Sequence, residues 1–224
     1  MDLAEADDLL MTGEKTVKDA HLWARHPEDY YVEPDWVSQR LFAMENFEGT
    51  VVDPACGSGR IVRAGRAHRQ KAAAVGDNRI VKMLGYDLVR RCKECVEEEN
   101  FLETDYETDN IVSNPPFKLC GKTNANSRHG EDFAFVKRAM ATATAKVALL
   151  LPLPWMTGAD KARWLANSPL SKVLVLTPRP SMPPGPVIEA GLEPGGGTED
   201  FAWFLWQHGH KGPPTLGWLN RDGA

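Results

Sequence analysis

The sequence predicts an α/β protein with one doubly wound, mostly parallel sheet and helices on both of its faces. Three observations carry that prediction. Residues 49–62, GTVVDPACGSGRIV, pass from an apolar segment through Asp53-Pro54 and a small-residue turn into a segment that can be helical. Strand, tight turn and helix N-terminus follow one another in this way at the ligand-binding corner of an open α/β sheet. Apolar runs at 111–112, 147–151 and 173–176 then alternate with helical patterns, the order that builds parallel sheets. The run Phe201-Ala202-Trp203-Phe204-Leu205-Trp206 is apolar on both faces, so it must be interior.

Length and composition bound the rest. At 224 residues, 42% hydrophobic and 25% charged, the chain can form one domain with a full-sized core. Residues 1–29 read as an N-terminal extension to it, with Leu9, Leu10, Val17 and Trp23 as the strong apolar anchors. No apolar run reaches membrane-spanning length, and the first residues, MDLAEADDLL, are acidic rather than a secretory signal. Four cysteines, one of them in the Gly turn, do not make a disulfide framework, so the expected setting is the cytoplasm. A net charge of −5 disfavours a protein that simply coats nucleic acid.

In chain order, Pro34 bars a helix before it, and Asp35 can N-cap a helix carrying Val37, Leu41 and Phe42. In the turn, Gly57 and Gly59 let the backbone approach a ligand, and Asp53 is delivered to the crevice by its strand. Val62 stands where a dinucleotide fingerprint would need its third Gly, which disfavours a nicotinamide cofactor. A helix over 60–72 carries five bases without an acid, either a solvated face or a phosphate contact. The strand Met83–Tyr86 ends in Asp87, placed to accept both hydroxyls of a ribose or to cap a following helix. On that helix Cys92 and Cys95 would supply only two ligands at i,i+3, so no metal site is expected. Ile111 and Val112 form the strand that Asn114-Pro115-Pro116-Phe117 breaks off, since two prolines cannot donate to a ladder. Residues 118–130 read as a polar loop, and helices around 133–140 and 159–166 separate the later strands. Residues 178–199 hold eleven Pro and Gly, so they read as neither helix nor strand.

The pair DPACGSG and NPPF, in this order and spacing, resembles the S-adenosylmethionine-dependent amino-methyltransferases. Within them it looks most like the DNA adenine-N6 group whose cofactor motifs precede the catalytic motif. The likeness runs from about residue 30 to 117. It implies the Rossmann-like class I fold with an antiparallel last strand, and S-adenosylmethionine as cofactor. Carried over residue by residue, it assigns Tyr31, Pro34, Asp53, Pro54, Ala55, Gly57, Gly59, Asp87 and Asp105 to the cofactor. Asp105 would accept from the adenine amine of the cofactor. Glu33 stands where the family usually has Thr.

The catalytic assignment falls on Asn114, Pro115, Pro116 and Phe117. An amine conjugated to a ring or carbonyl is a poor nucleophile. Two acceptors on its N–H bonds, the Asn114 side-chain oxygen and the Pro115 carbonyl, would turn its lone pair toward the methyl group. Phe117 offers a face on which an extruded base stacks. Lys118 and Arg179 are the expected substrate contacts, and no separate target-recognition domain fits in the residues after the motif. DNA adenine is the first reading. RNA adenine, glutamine in a protein, or a silent subunit that binds a partner chain are the alternatives. A protein partner or a second copy would narrow any sequence preference.

Overall fold

A computed structural model describes residues 26–121, 133–192 and 195–223. The anchors assigned to residues 1–25, and Lys122 and Arg128 of the polar loop, lie outside them.

Strand β1 (Gly49–Asp53) is central, paired in parallel with β2 (Ile80–Asp87) on one side and β4 (Thr108–Ser113) on the other. Beyond β2 lies β3 (Cys95–Glu98), and beyond β4 lies β5 (Ala143–Pro152), both parallel. Strand β7 (Phe201–Gln207) is inserted antiparallel between β5 and β6 (Leu170–Thr177), and β8 (Thr215–Asn220) closes the far edge parallel to β6. The order is β3-β2-β1-β4-β5-β7-β6-β8. Strand succession reverses direction between β1 and β4, the switch point at which open α/β sheets leave a crevice beyond their strand ends.

Alternation along the central strands splits the core into two layers. Val112, Leu150, Trp203 and Leu205 face one side, with Leu41 and Phe42 of α1 (Asp35–Met44) and Val62 of α2 (Arg60–Ala73). Ile111, Leu149, Leu151, Phe204 and Trp206 face the other, with Phe135 and Val136 of α3 (Ala134–Thr142) and Leu165 of α4 (Ala159–Leu165). The interior position expected for 201–206 is met: every one of these residues is buried.

Four expectations are corrected. The antiparallel strand is not the last, because β8 follows it and pairs with the free edge of β6. Cys92 and Cys95 do not share a helix: Cys95 opens the edge strand β3, where backbone pairing with β2 overrides a weak helical pattern. Its thiol instead donates to the Glu97 carbonyl at 3.3 Å. Residues 178–199 hold a short helix, α5 (Gly185–Glu189), because Pro186 has the fixed φ that suits a first turn. Asp35 is the first residue of α1, Pro34 occupies the cap position, and the Asp35 carboxylate lies 3.4 Å from Arg60 Nε.

The basic run on α2 is largely committed within the protein. Arg60 is buried, Arg63 donates to the Ser58 carbonyl (2.7 Å), and Arg66 and Arg69 donate to the carbonyls of Met83 (3.3 Å) and Ile80 (3.1 Å). No helix of the described residues is long and apolar enough to cross a membrane.

Candidate active site

The turn after β1 takes its shape from two glycines in the left-handed region, Gly57 (φ 47°) and Gly59 (φ 79°), where other L-residues are strained. Gly59 starts α2. A Cβ on Gly57 would come within 2.9 Å of the Tyr30 ring, so that ring can pack on the turn only because Gly57 has no side chain. Below the turn, Asp53 is 1% exposed, and its Oδ1 accepts from Ser113 Oγ (2.7 Å) and Ala55 N–H (3.2 Å), tying the ends of β1 and β4 together. Burial pushes its carboxyl well above the usual range, and the nearby Glu33 and Asp87 carboxylates push the same way.

Asp87 ends β2. Its Oδ2 accepts from Gly57 N–H (2.7 Å), and its Oδ1 accepts from Val89 N–H (3.1 Å) and Arg91 Nη1 (3.2 Å). The carboxylate is therefore fixed in orientation by the turn it serves. No helix follows it; the bond to Val89 closes a local turn instead, so the capping role is not taken up. Arg91 also pairs with Glu28 and lies 4.5 Å over the Tyr30 ring.

At the end of β4, the Asn114 amide nitrogen donates to Glu33 Oε2 (2.9 Å) and to the Tyr31 carbonyl (3.3 Å). Tyr31 and Phe117 present parallel rings, 13° apart in plane with centroids 6.4 Å apart, and Phe117 also packs on Phe201 at 5.8 Å. The segment 30–33 is held from behind by the Pro-rich loop. Tyr31 bridges Pro184, Val32 N–H donates to the Pro183 carbonyl (3.0 Å), and Gly185 N–H donates to the Tyr30 carbonyl (2.9 Å).

These pieces enclose a cleft of about 190 Å³ at the switch point. Of the residues assigned from sequence, Tyr31, Asp53, Pro54, Ala55, Gly57, Asp87, Asn114, Pro116 and Lys118 line it. Pro34, Gly59, Pro115 and Phe117 are not among the lining residues, although each adjoins one in sequence. Asp105 lies elsewhere: its side chain is fully exposed, 3.8 Å from Arg138. Asn100, Phe101 and Leu102 line the cleft instead, with the Asn100 side chain accepting from Leu102 N–H (3.2 Å). Asn100, a turn-forming residue set among the eight acids between Glu94 and Asp109, is the only sequence signal for this lining. Arg179 is likewise outside the cleft, its guanidinium engaged by Asp200 at 2.7 and 3.3 Å. Glu33 and Arg91 also line the cleft and were not assigned from sequence; the partners that bring them there, Asn114 for Glu33 and Glu28 for Arg91, are 81 and 63 positions away. Among the described residues no group of His, Cys, Asp and Glu could hold a metal ion.

No protein-family model and no curated protein matches the sequence. The structure does match solved ones. One, from Listeria monocytogenes, is described as a class I S-adenosylmethionine-dependent methyltransferase (TM-score 0.56, 14% identity, 86% of this chain and 66% of that one). Another is the M protein of the type I restriction enzyme EcoKI (TM-score 0.53, 14% identity, 87% of this chain and 49% of that one). This chain thus spans less than two thirds of the first protein and about half of the second. At this identity the likeness is one of fold: the chain has the Rossmann-like fold of class I methyltransferases.

Proposed function

We propose that the chain transfers a methyl group from S-adenosylmethionine to the N6 amine of adenine in DNA. The observation that carries this reading is the meeting of Asn114, the Gly57 turn and Asp87 in one cleft at the switch point. The residues present fit that cofactor. Asp87 offers carboxylate oxygens to a ribose diol, and Asn100–Leu102 forms a wall suited to a flat base. Six carboxylates among the lining residues (Glu28, Asp29, Glu33, Asp53, Asp87 and Glu99) suit a positively charged sulfonium and ammonium.

When bound, S-adenosylmethionine supplies a methyl group on a positively charged sulfur that needs no further activation. The protein's part is to hold and orient the amine. Asn114 Oδ1 and the Pro115 carbonyl accept its two N–H bonds, drawing the nitrogen toward tetrahedral geometry and stabilising the positive charge that grows on it. The product ammonium loses its proton readily, so no strong general base is required. A base within a duplex cannot reach the cleft, so it must be extruded. The aromatic pair Tyr31 and Phe117 then gives it a stacking surface worth about 1–3 kcal/mol.

A second reading, methylation of a glutamine amide in a protein, draws on charge. Against the six lining carboxylates stand Arg91 and Lys118, a balance that does not attract a polyanion. One experiment separates the two. Purified chain is incubated with deuteromethyl-labelled cofactor and DNA, RNA or cell lysate protein, and the nucleosides and peptides are analysed by mass spectrometry. Labelled N6-methyladenine from DNA is the expected result, lost in Asn114→Ala while cofactor binding persists. Label found only in RNA or in glutamine overturns the DNA assignment, and no label in any pool overturns the enzyme reading.

A further inference from the structure

Glu33 is 4% exposed and sits directly behind Asn114. Its Oε2 accepts from Asn114 Nδ2 at 2.9 Å and its Oε1 accepts from Ser38 Oγ at 3.2 Å. Its own backbone carbonyl accepts from Arg60 Nη1 at 2.9 Å. Asn114 Nδ2 also donates to the Tyr31 carbonyl at 3.3 Å. An amide nitrogen has two hydrogens, and these two acceptors account for both. The side-chain oxygen is the atom left to face the cleft.

We propose that Glu33 is a positioning residue that locks Asn114 with its amide oxygen toward the target amine and enriches that oxygen in charge. The proposal rests on the reading of Asn114 as an acceptor for that amine. Its physical core is the difference between a carboxylate and any neutral partner. An asparagine amide can rotate by half a turn and offer its NH2 group instead, which would repel a donor N–H. A hydroxyl behind it would tolerate both orientations, because it can donate as well as accept. An ionised carboxylate only accepts, so it permits one orientation. The bond is also charge-assisted, about twice as strong as a neutral one. By pulling on the N–H it polarises the amide toward its oxygen, as linked hydrogen bonds do in a low dielectric. The arrangement has a cost on the folding side. Burial pushes the Glu33 carboxyl up, opposed by its hydrogen bonds and by the Arg60 charge. A side chain held at such a cost, directly behind a residue meant to touch the target amine, serves the site rather than the core.

The test pairs activity with a direct view of the amide. In single turnovers on an adenine-containing DNA duplex, Glu33→Gln keeps an acceptor but loses the charge, and is expected to slow methyl transfer about tenfold. Glu33→Leu loses both and is expected to slow it by about a hundredfold or more, each rate being read at saturating cofactor so that the loss falls on the chemical step. In spectra of the 15N-labelled protein, the Asn114 side-chain pair, assigned by its disappearance in Asn114→Asp, should show exchange-protected, downfield-shifted protons. In Glu33→Leu that protection should be lost. Unchanged Asn114 signals in Glu33→Leu, or transfer at the wild-type rate, would overturn the proposal. If wild-type chain methylates no DNA, the proposed function fails, and the amide signals still decide whether Glu33 orients Asn114.

Discussion

Asp53 ends the central strand with 1% of its surface exposed and neutral partners, Ser113 and Ala55. Its folded carboxyl is held well above the ordinary value by burial. Between the unfolded value, about 3.9, and the raised one, the native chain therefore binds more protons than the unfolded chain. Stability falls as pH rises through that window, so the buried carboxyl costs stability above it relative to acid pH. Asp53→Asn should raise Tm at pH 7, by about 2–4 °C for each kcal/mol recovered in a domain of this size, and should flatten the pH slope. A lower Tm in calorimetry would show that the charge is not the cost. Asp87 behaves differently, being satisfied on both oxygens by the turn and by Arg91. Asp87→Ala should weaken cofactor binding by the worth of a charged hydrogen-bond pair, about 1.5–3 kcal/mol or more. Unchanged calorimetric affinity would remove Asp87 from the cofactor site.

At the scale of elements, the cleft depends on a strap. Residues 30–33 lie between the Gly57 turn and the loop bearing α5, with the Tyr30 ring gripped on both sides. A Cβ on Gly185 would fall 1.7 Å from that ring, while a Cβ on Gly57 would fall 2.9 Å from its other edge. The ring cannot yield toward the turn. Tyr30 also donates to Glu189 of α5 at 3.2 Å. Gly185→Ala should therefore displace the strap, costing about 1–3 kcal/mol of stability and weakening cofactor binding further than that loss explains. Gly195→Ala, with nothing within 4 Å of the added methyl, is the control. Equal cofactor affinities in the two variants would show that the strap does not shape the site.

At the scale of the whole molecule, one eight-stranded sheet carries the cleft. Any sequence preference of these residues must come from loops at the mouth, and Arg179, which was expected to reach a phosphate or base, is held by Asp200. Each recognised base pair contributes about 1–3 kcal/mol, so a few loop contacts support only a short or degenerate target. Sequencing of DNA methylated by the purified chain is expected to show fewer than about six fixed positions. A longer motif would mean that the loops read more bases than the contact arithmetic allows.

The sequence by itself determined the corner from β1 to α2, because a buried strand, a Pro break and two glycines at positive φ leave the backbone few other paths. It likewise determined the strands that are apolar on both faces and the break at Asn114-Pro115-Pro116. These are local patterns, written in consecutive residues. Tertiary structure alone decided the edge strands β3 and β8, which lack a readable period and exist by pairing with β2 and β6. It also decided that Asn100–Leu102, rather than Asp105, walls the cleft, and that Arg179 is spent on Asp200. The contact of Glu33 with Asn114 joins residues 81 positions apart. Neither residue's neighbours encode such a bond; it appears only when the fold brings the end of β4 against the strap, where a buried carboxylate must find a donor.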